Sequence, residues 1–195
     1  MLSQTNDKMG VKFISGDILN MNNVDAIIHQ VNCLCITPYG LSEQLSHHCS
    51  WSLSTQIAKT MPWGDIYSTR RGDSGTNLAN KEDRGRPGSI RVFKSPGNLR
   101  PDVICFLSQW DFGTVEKKYR HIPPFTETKE TRLHWFCQCL QQMHLLEVKS
   151  VGIKNNFGGG LAKEDLVRYK TEIESFSKKS GIDFYIISPK IPYFE

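Results

Sequence analysis

Short apolar runs alternate along this chain with longer stretches in which apolar residues recur every three or four positions. The run Val11-Lys12-Phe13-Ile14-Ser15 predicts a strand, ended by Gly16-Asp17. A second strand is expected over 25–31, centred on Ala26-Ile27-Ile28, and two more over 89–94 and 103–108. Over 126–146, Leu133, Phe136, Leu140 and Met143 fall on one face of an amphipathic helix. A strand over 148–154 runs into Asn155-Asn156-Phe157-Gly158-Gly159-Gly160-Leu161. A helix over 163–179 follows, with Leu166, Tyr169, Ile173 and Phe176 on one side and Ser180-Gly181 as its stop. The last strand covers 182–188. Strands alternating with helices imply an α/β fold with a mixed, mostly parallel sheet.

Size and composition narrow the function. The 195 residues, 38% of them hydrophobic, suit one domain over 1–195 that buries a core without a metal or disulfide staple. No apolar run approaches the roughly 20 residues of a membrane-spanning helix, so no membrane partner is expected. The polar start, Met1 to Lys8, predicts an intracellular protein, cytoplasmic or nuclear, without a secretory leader. Six cysteines then read as free thiols. A net charge of +4, spread along the chain, favours an anionic partner such as a nucleotide but does not mark a nucleic-acid surface. Residues 61–102 are rich in Gly, Pro, Asn, Asp and Arg and read as a long connection holding a short strand, the wall or lid of a site.

In a parallel sheet, ligands sit where loops leave the carboxyl ends of the strands. Three loops qualify: Gly16-Asp17-Ile18, the segment from Asn32 to Gly40, and the segment from Asn155 to Leu161. Three consecutive glycines between a strand and a helix let the main chain approach a ligand and turn successive N–H groups toward a phosphate; the alternative is a flexible turn. Asp17 can accept a hydrogen bond from an exocyclic amine such as that of adenine, or can cap a helical turn. His29 ends an apolar strand and reads as a satisfied structural histidine. Cys33, Cys35, His47, His48 and Cys49 match no common tetrahedral spacing, so neither metal nor cofactor is expected. Cys137 and Cys139 do not share a helix face and read as ordinary thiols, and Arg70, Arg71, Arg84 and Arg86 as a solvated loop.

Three segments together resemble a macrodomain, the ADP-ribose-binding module. They are Val11 through Leu19, Val24-Asp25-Ala26-Ile27-Ile28-His29-Gln30-Val31-Asn32-Cys33, and Gly158-Gly159-Gly160-Leu161. The His-Gln-Val-Asn-Cys stretch is most similar to the branch holding terminal ADP-ribose protein glycohydrolase and the antitoxins that strip ADP-ribose from DNA. The resemblance implies a three-layer α/β/α fold. It implies that Asp17 binds the adenine amine, that Ile18 lines the adenine pocket and that Asn32 faces the distal ribose. It makes Pro38, Tyr39, Gly40 and Leu41 the first phosphate loop and the segment from Asn156 to Leu161 the second, with Phe157 beside the distal ribose.

The chain departs from that branch at the positions that carry its chemistry. Gln109 stands where the branch has a nucleophilic lysine, Ala162 where it has an acid, and Pro38 where the first loop has a glycine N–H donor. Hydrolysis would then need a water activated by a carboxylate or by the substrate's own phosphate; Asp111 is the candidate carboxylate, with Asn32 and Gln109 as the other catalytic candidates, and its alternative reading is a turn residue before Gly113. Glu164 and Asp165 read as acids complementing a helix N-terminus. The leading function is hydrolysis of an ADP-ribosyl linkage, on a modified protein or nucleic acid or on a free ADP-ribose derivative. The alternative is ADP-ribose binding without turnover, and a basic nucleic-acid-binding module, which would show strong salt dependence, comes third. The expected partner is ADP-ribose or an ADP-ribosylated macromolecule, with nucleic acid only as a modified substrate, and the protein is expected to be a monomer.

Overall fold

The computed structural model describes residues 10–36, 38, 40–42, 44–45, 72–73, 77–95, 100–115, 124–157 and 165–189. Its strands are β1 (Val11–Ser15), β2 (Ala26–Asn32), the short hairpin β3 (Gly72–Asp73) and β4 (Leu78–Ala79), β5 (Ser89–Phe93), β6 (Asp102–Gln109), β7 (Ser150–Lys154) and β8 (Asp183–Ser188). Among the described residues, helices α1 (Lys129–Gln142) and α2 (Leu166–Ser180) alternate with the later strands, and 41–42 and 44–45 are also helical. The main sheet has six strands in the order β1-β8-β7-β2-β6-β5. Only β5 runs antiparallel to its neighbour; β1, β8, β7, β2 and β6 are parallel. The expected mixed, mostly parallel sheet is what forms.

The central strands are apolar on both faces because both faces are covered. On β2, Ala26 and Ile28 join Ile104, Phe106, Val151, Ile153 and Phe184 under α1 and α2. Ile27 and Val31 point the other way, into clusters with Ile18, Met21 and Ile187 and with Leu34, Val103 and Leu107. That second face is sealed partly by residues 78–88, inside the long connection. Gly85 donates its N–H to Cys33 O at 2.9 Å, and Gly88 to Leu107 O at 2.8 Å. A Cβ on Gly85 would collide with Leu107 and lie 3.3 Å from Cys33, so the close approach requires glycine. Arg84 donates from Nε to Ala79 O within the same segment. The described part of the connection is therefore a packed wall; Arg70 and Arg71 lie outside the described residues.

Element ends shift from the expected ones for local reasons. Helix α1 begins at Lys129 because Thr128 caps it: the Thr128 hydroxyl accepts from Thr131 N at 3.1 Å, and Thr131 Oγ1 accepts from Thr128 N at 2.8 Å. It tightens at its end into a 3-10 turn, Met143–Leu145. Helix α2 begins after Asp165, whose carboxylate accepts from Val167 N and Arg168 N, in keeping with its reading as a helix-terminal acid. Gly181, at φ 74°, closes it in the left-handed region.

One polar contact in the core fixes the turn after β6. Glu127 and Arg132 form an ion pair at 2.8 Å, each side chain 1% exposed. The Glu127 carboxylate also accepts from Trp110 N at 2.6 Å and Asp111 N at 3.3 Å. The Arg132 guanidinium donates to Gly113 O at 2.8 Å and Asp111 O at 3.3 Å. Trp110, Phe125 and Trp135 pack edge to face around it. Arg132→Met leaves the buried carboxylate without its counter-charge. We expect a loss of about 3–5 kcal/mol in unfolding free energy, read by urea denaturation. A loss below about 1 kcal/mol would show that the pair does not hold the turn.

Candidate functional site

The carboxyl ends of β1, β7 and β8 open into a cleft of about 690 Å³, a size that suits a nucleotide-like ligand. The cleft exists because β1 and β8 stop together: Gly16 donates to Ser188 O at 2.8 Å, and the chain then turns away at Asp17. Asp17 is extended, at φ −111°, and caps the 3-10 turn Ile18–Asn20 by accepting from Leu19 N at 3.0 Å. Its other carboxylate oxygen has no partner among the described residues. Ile18 is 3% exposed, wedged between core and cleft. Ile14, Leu19, Ile187 and Pro189 supply apolar wall around that acid. Asp17 thus fulfils the capping role and still faces the cleft. Lys154, which sequence reasoning passed over, lines the same cleft.

The ends of β2 and β6 carry the other candidates. Asn32 pairs in register with Gln109, and Cys33 N–H donates to Gln109 O at 2.9 Å and Trp110 O at 3.2 Å. The Asn32 side-chain carbonyl accepts from Leu34 N at 3.1 Å and Cys35 N at 2.7 Å, an Asx turn that bends the chain off the sheet. Asp111 is buried and accepts from Phe112 N at 2.8 Å, so its carboxylate helps hold the same turn. Asn32 on β2 and Gln109 and Asp111 at the end of β6 are therefore brought to the adjoining ends of two paired strands. In the first phosphate loop, Pro38 is half-buried, Gly40 has φ 63° and starts a helical turn through Gln44 N to Gly40 O, and Leu41 packs against the core. Tyr39 lies outside the described residues.

The second phosphate loop is described only at its start. Asn156 is exposed in a turn closed by Phe157 N to Lys154 O at 3.0 Å. Gly158, Gly159, Gly160, Leu161 and Ala162 lie outside the described residues. Phe157 is a correction. Its ring is 6% exposed and stacks on Phe136 at 5.7 Å, beside Tyr169, so it belongs to the core and does not face a ribose.

Several buried polar atoms without hydrogen-bond partners among the described residues lie toward this end of the sheet: His29 Nε2, both amide atoms of Gln30, Ser108 Oγ and Asn155 Oδ1; Arg100 Nη1, before β6, lies at the other end. Such atoms are rare in folded proteins because each has lost its water without replacement. His29 is thus structural in position, but contrary to expectation its Nε2 has no hydrogen-bond partner among the described residues. Burial, together with the charge of Lys154, pushes its pKa down to about 4, so the imidazole is neutral. Two thiols, Cys137 and Cys139, are held protonated. Burial, with Glu172 beside it, pushes Cys137 up to about 11, and burial with Cys33 nearby raises Cys139 too. No metal-binding cluster occurs among the described residues; His47, His48 and Cys49 lie outside them.

The fold has close counterparts among solved structures. The macrodomain of Mycobacterium tuberculosis DarG superposes with a TM-score of 0.58 at 15% identity, covering 92% of this chain and 98% of that one. The chain has the macrodomain fold. The Oceanobacillus iheyensis macrodomain with ADP gives a TM-score of 0.57 at 12% identity, covering 93% of this chain and 84% of that one. The Trypanosoma brucei macrodomain in complex with ADP-ribose gives 0.55 at 11% identity, covering 92% and 63%. No protein-family model and no curated protein matches the sequence. No helix among the described residues is long and apolar enough to cross a membrane.

The macrodomain sheet carries one titration that can be measured directly. An unfolded His29 takes up its proton near pH 6.5, while the folded one resists until about pH 4. Between those values the unfolded chain binds more protons, so stability falls as the pH drops through that window. The difference caps the loss at about 3 kcal/mol. His29→Asn should flatten the slope of unfolding free energy against pH between 6.5 and 4, and an unchanged slope would place the titration elsewhere.

Proposed function

We propose that this protein binds ADP-ribose in the cleft at the carboxyl ends of β1, β7 and β8. The observation that carries the reading is an apolar slot with one carboxylate at its rim, Asp17, whose second oxygen has no partner among the described residues. An adenine ring fits such a slot: its faces are apolar and its exocyclic amine needs an acceptor. The unpartnered polar atoms of Gln30, Ser108 and Asn155 support a polar ligand further along the same edge. The ADP and ADP-ribose complexes of the macrodomains named above agree with this reading.

Hydrolysis of an ADP-ribosyl linkage is the second reading. It is favoured by the position of Asp111 on a clamped turn, one backbone contact from Asn32 and Gln109. Gln109 has no basic amine, so covalent attack on the ribose is closed to it. A water activated by a carboxylate, with Asn32 and Gln109 orienting the ribose hydroxyls, is the chemistry this turn can support.

Two measurements separate these readings. In calorimetry, ADP-ribose should give saturable heat, and Asp17→Ala should weaken binding by the roughly 1.5–3 kcal/mol of a charged hydrogen bond. No heat and no thermal shift with ADP-ribose would remove both readings. In incubations with ADP-ribosylated protein and ADP-ribosylated DNA, a hydrolase releases label. Asp111→Ala should then slow release by about a hundredfold or more, the usual contribution of a general base. Label retained on every substrate leaves a binding module.

A further inference from the structure

The cleft carries a second charge that the ADP-ribose reading does not use. Asp17 and Lys154 are the charged side chains among the described residues that line it. Lys154 is the last residue of β7, half-buried, and its ammonium has no hydrogen-bond or ion-pair partner among the described residues. Its neighbours on that side are poor company for a cation. Ile187, its register partner on β8, is apolar, and His29 is neutral. Surface lysines usually turn to water or to a carboxylate; this one is held by a strand at the rim of an apolar slot. An unpaired ammonium beside apolar walls interacts with an incoming anion more strongly than it would in open water.

We infer that Lys154 forms an ion pair with a phosphate of the bound nucleotide, making this cleft selective for adenosine phosphates over adenosine. The inference rests on the ADP-ribose reading and adds a residue to it. Asp17 and Lys154 give the slot opposite polarity at two points of its rim. An adenine amine is a donor and seeks the acid; the phosphate on the same nucleotide is an anion and seeks the ammonium. A ligand with both groups can satisfy both side chains at once. Recognition by main-chain N–H groups alone would leave phosphate binding weakly dependent on salt. A lysine adds a screened, salt-dependent component.

Calorimetry on the full chain with ADP-ribose, AMP and adenosine tests this, using wild type, Lys154→Met and Lys154→Arg. Lys154→Met keeps the apolar stem and should weaken ADP-ribose and AMP about tenfold or more while leaving adenosine unchanged. It should also flatten the dependence of ADP-ribose affinity on sodium chloride, and Lys154→Arg should restore most of both. Equal losses for adenosine and ADP-ribose would make Lys154 a support for the slot and overturn the inference. So would unchanged ADP-ribose affinity in Lys154→Met. In either case the wild type still binds, and the ADP-ribose reading stands. A wild type that binds none of the three ligands removes the reading and the inference together.

Discussion

A carboxylate and a guanidinium, each almost fully removed from water, hold the end of β6 in place. Taking Glu127 and Arg132 out of solvent costs several kcal/mol per ion, and the pair recovers that only when every donor and acceptor is used. Here the carboxylate takes two main-chain N–H groups of the turn, and the guanidinium takes two of its carbonyls. The turn in this way becomes part of the core. Through Gln109 and Trp110 it fixes Cys33, and through Cys33 it fixes Asn32 at the end of β2. The two strand ends that carry the candidate catalytic groups are thus set through the main chain of this turn.

The strands were legible because burial on both faces leaves a mark that survives in one sequence: Ala26-Ile27-Ile28 and Val103 through Leu107 admit little else. The helix faces were legible for the same reason, while their ends depended on caps. Thr128 and Asp165 are small polar residues among many, and only geometry shows which of them accepts the first free N–H groups. Asp17 and Asn32 were found, yet both spend a side-chain oxygen on their own backbone. Function and capping ask for the same residue types, so spacing alone could not separate them.

Other features were hidden for physical reasons. Phe157 sits beside a glycine loop in sequence, but it continues the inward alternation of Val151 and Ile153 and so packs against Phe136. Nothing in a helix pattern distinguishes Arg132 from a surface arginine; only the Glu127 five residues earlier hints at a partner, and that spacing is common. Lys154 was passed over because a lysine at the end of a strand usually marks the edge of the buried region. Here the strand ends at a cleft, and the cation is left on its rim.

Among the described residues, buried polar atoms without partners fall mostly at one end of the sheet, with Arg100 Nη1 before β6 an exception. The amino ends of the strands are closed by ordinary means, as when Asp25 accepts from Lys149 N and Ser150 N, or Asp183 from Gly10 N. Toward the carboxyl ends, His29, Gln30, Ser108 and Asn155 keep buried polar atoms with no hydrogen-bond partner among the described residues. Each such atom is worth about 1–3 kcal/mol of lost solvation, a large cost in a domain whose net stability is about 5–15 kcal/mol. Hydrophobic side chains of similar volume would pack there more cheaply. Polar side chains kept at that cost mark the carboxyl ends as the part of the sheet where a polar ligand would restore the missing partners.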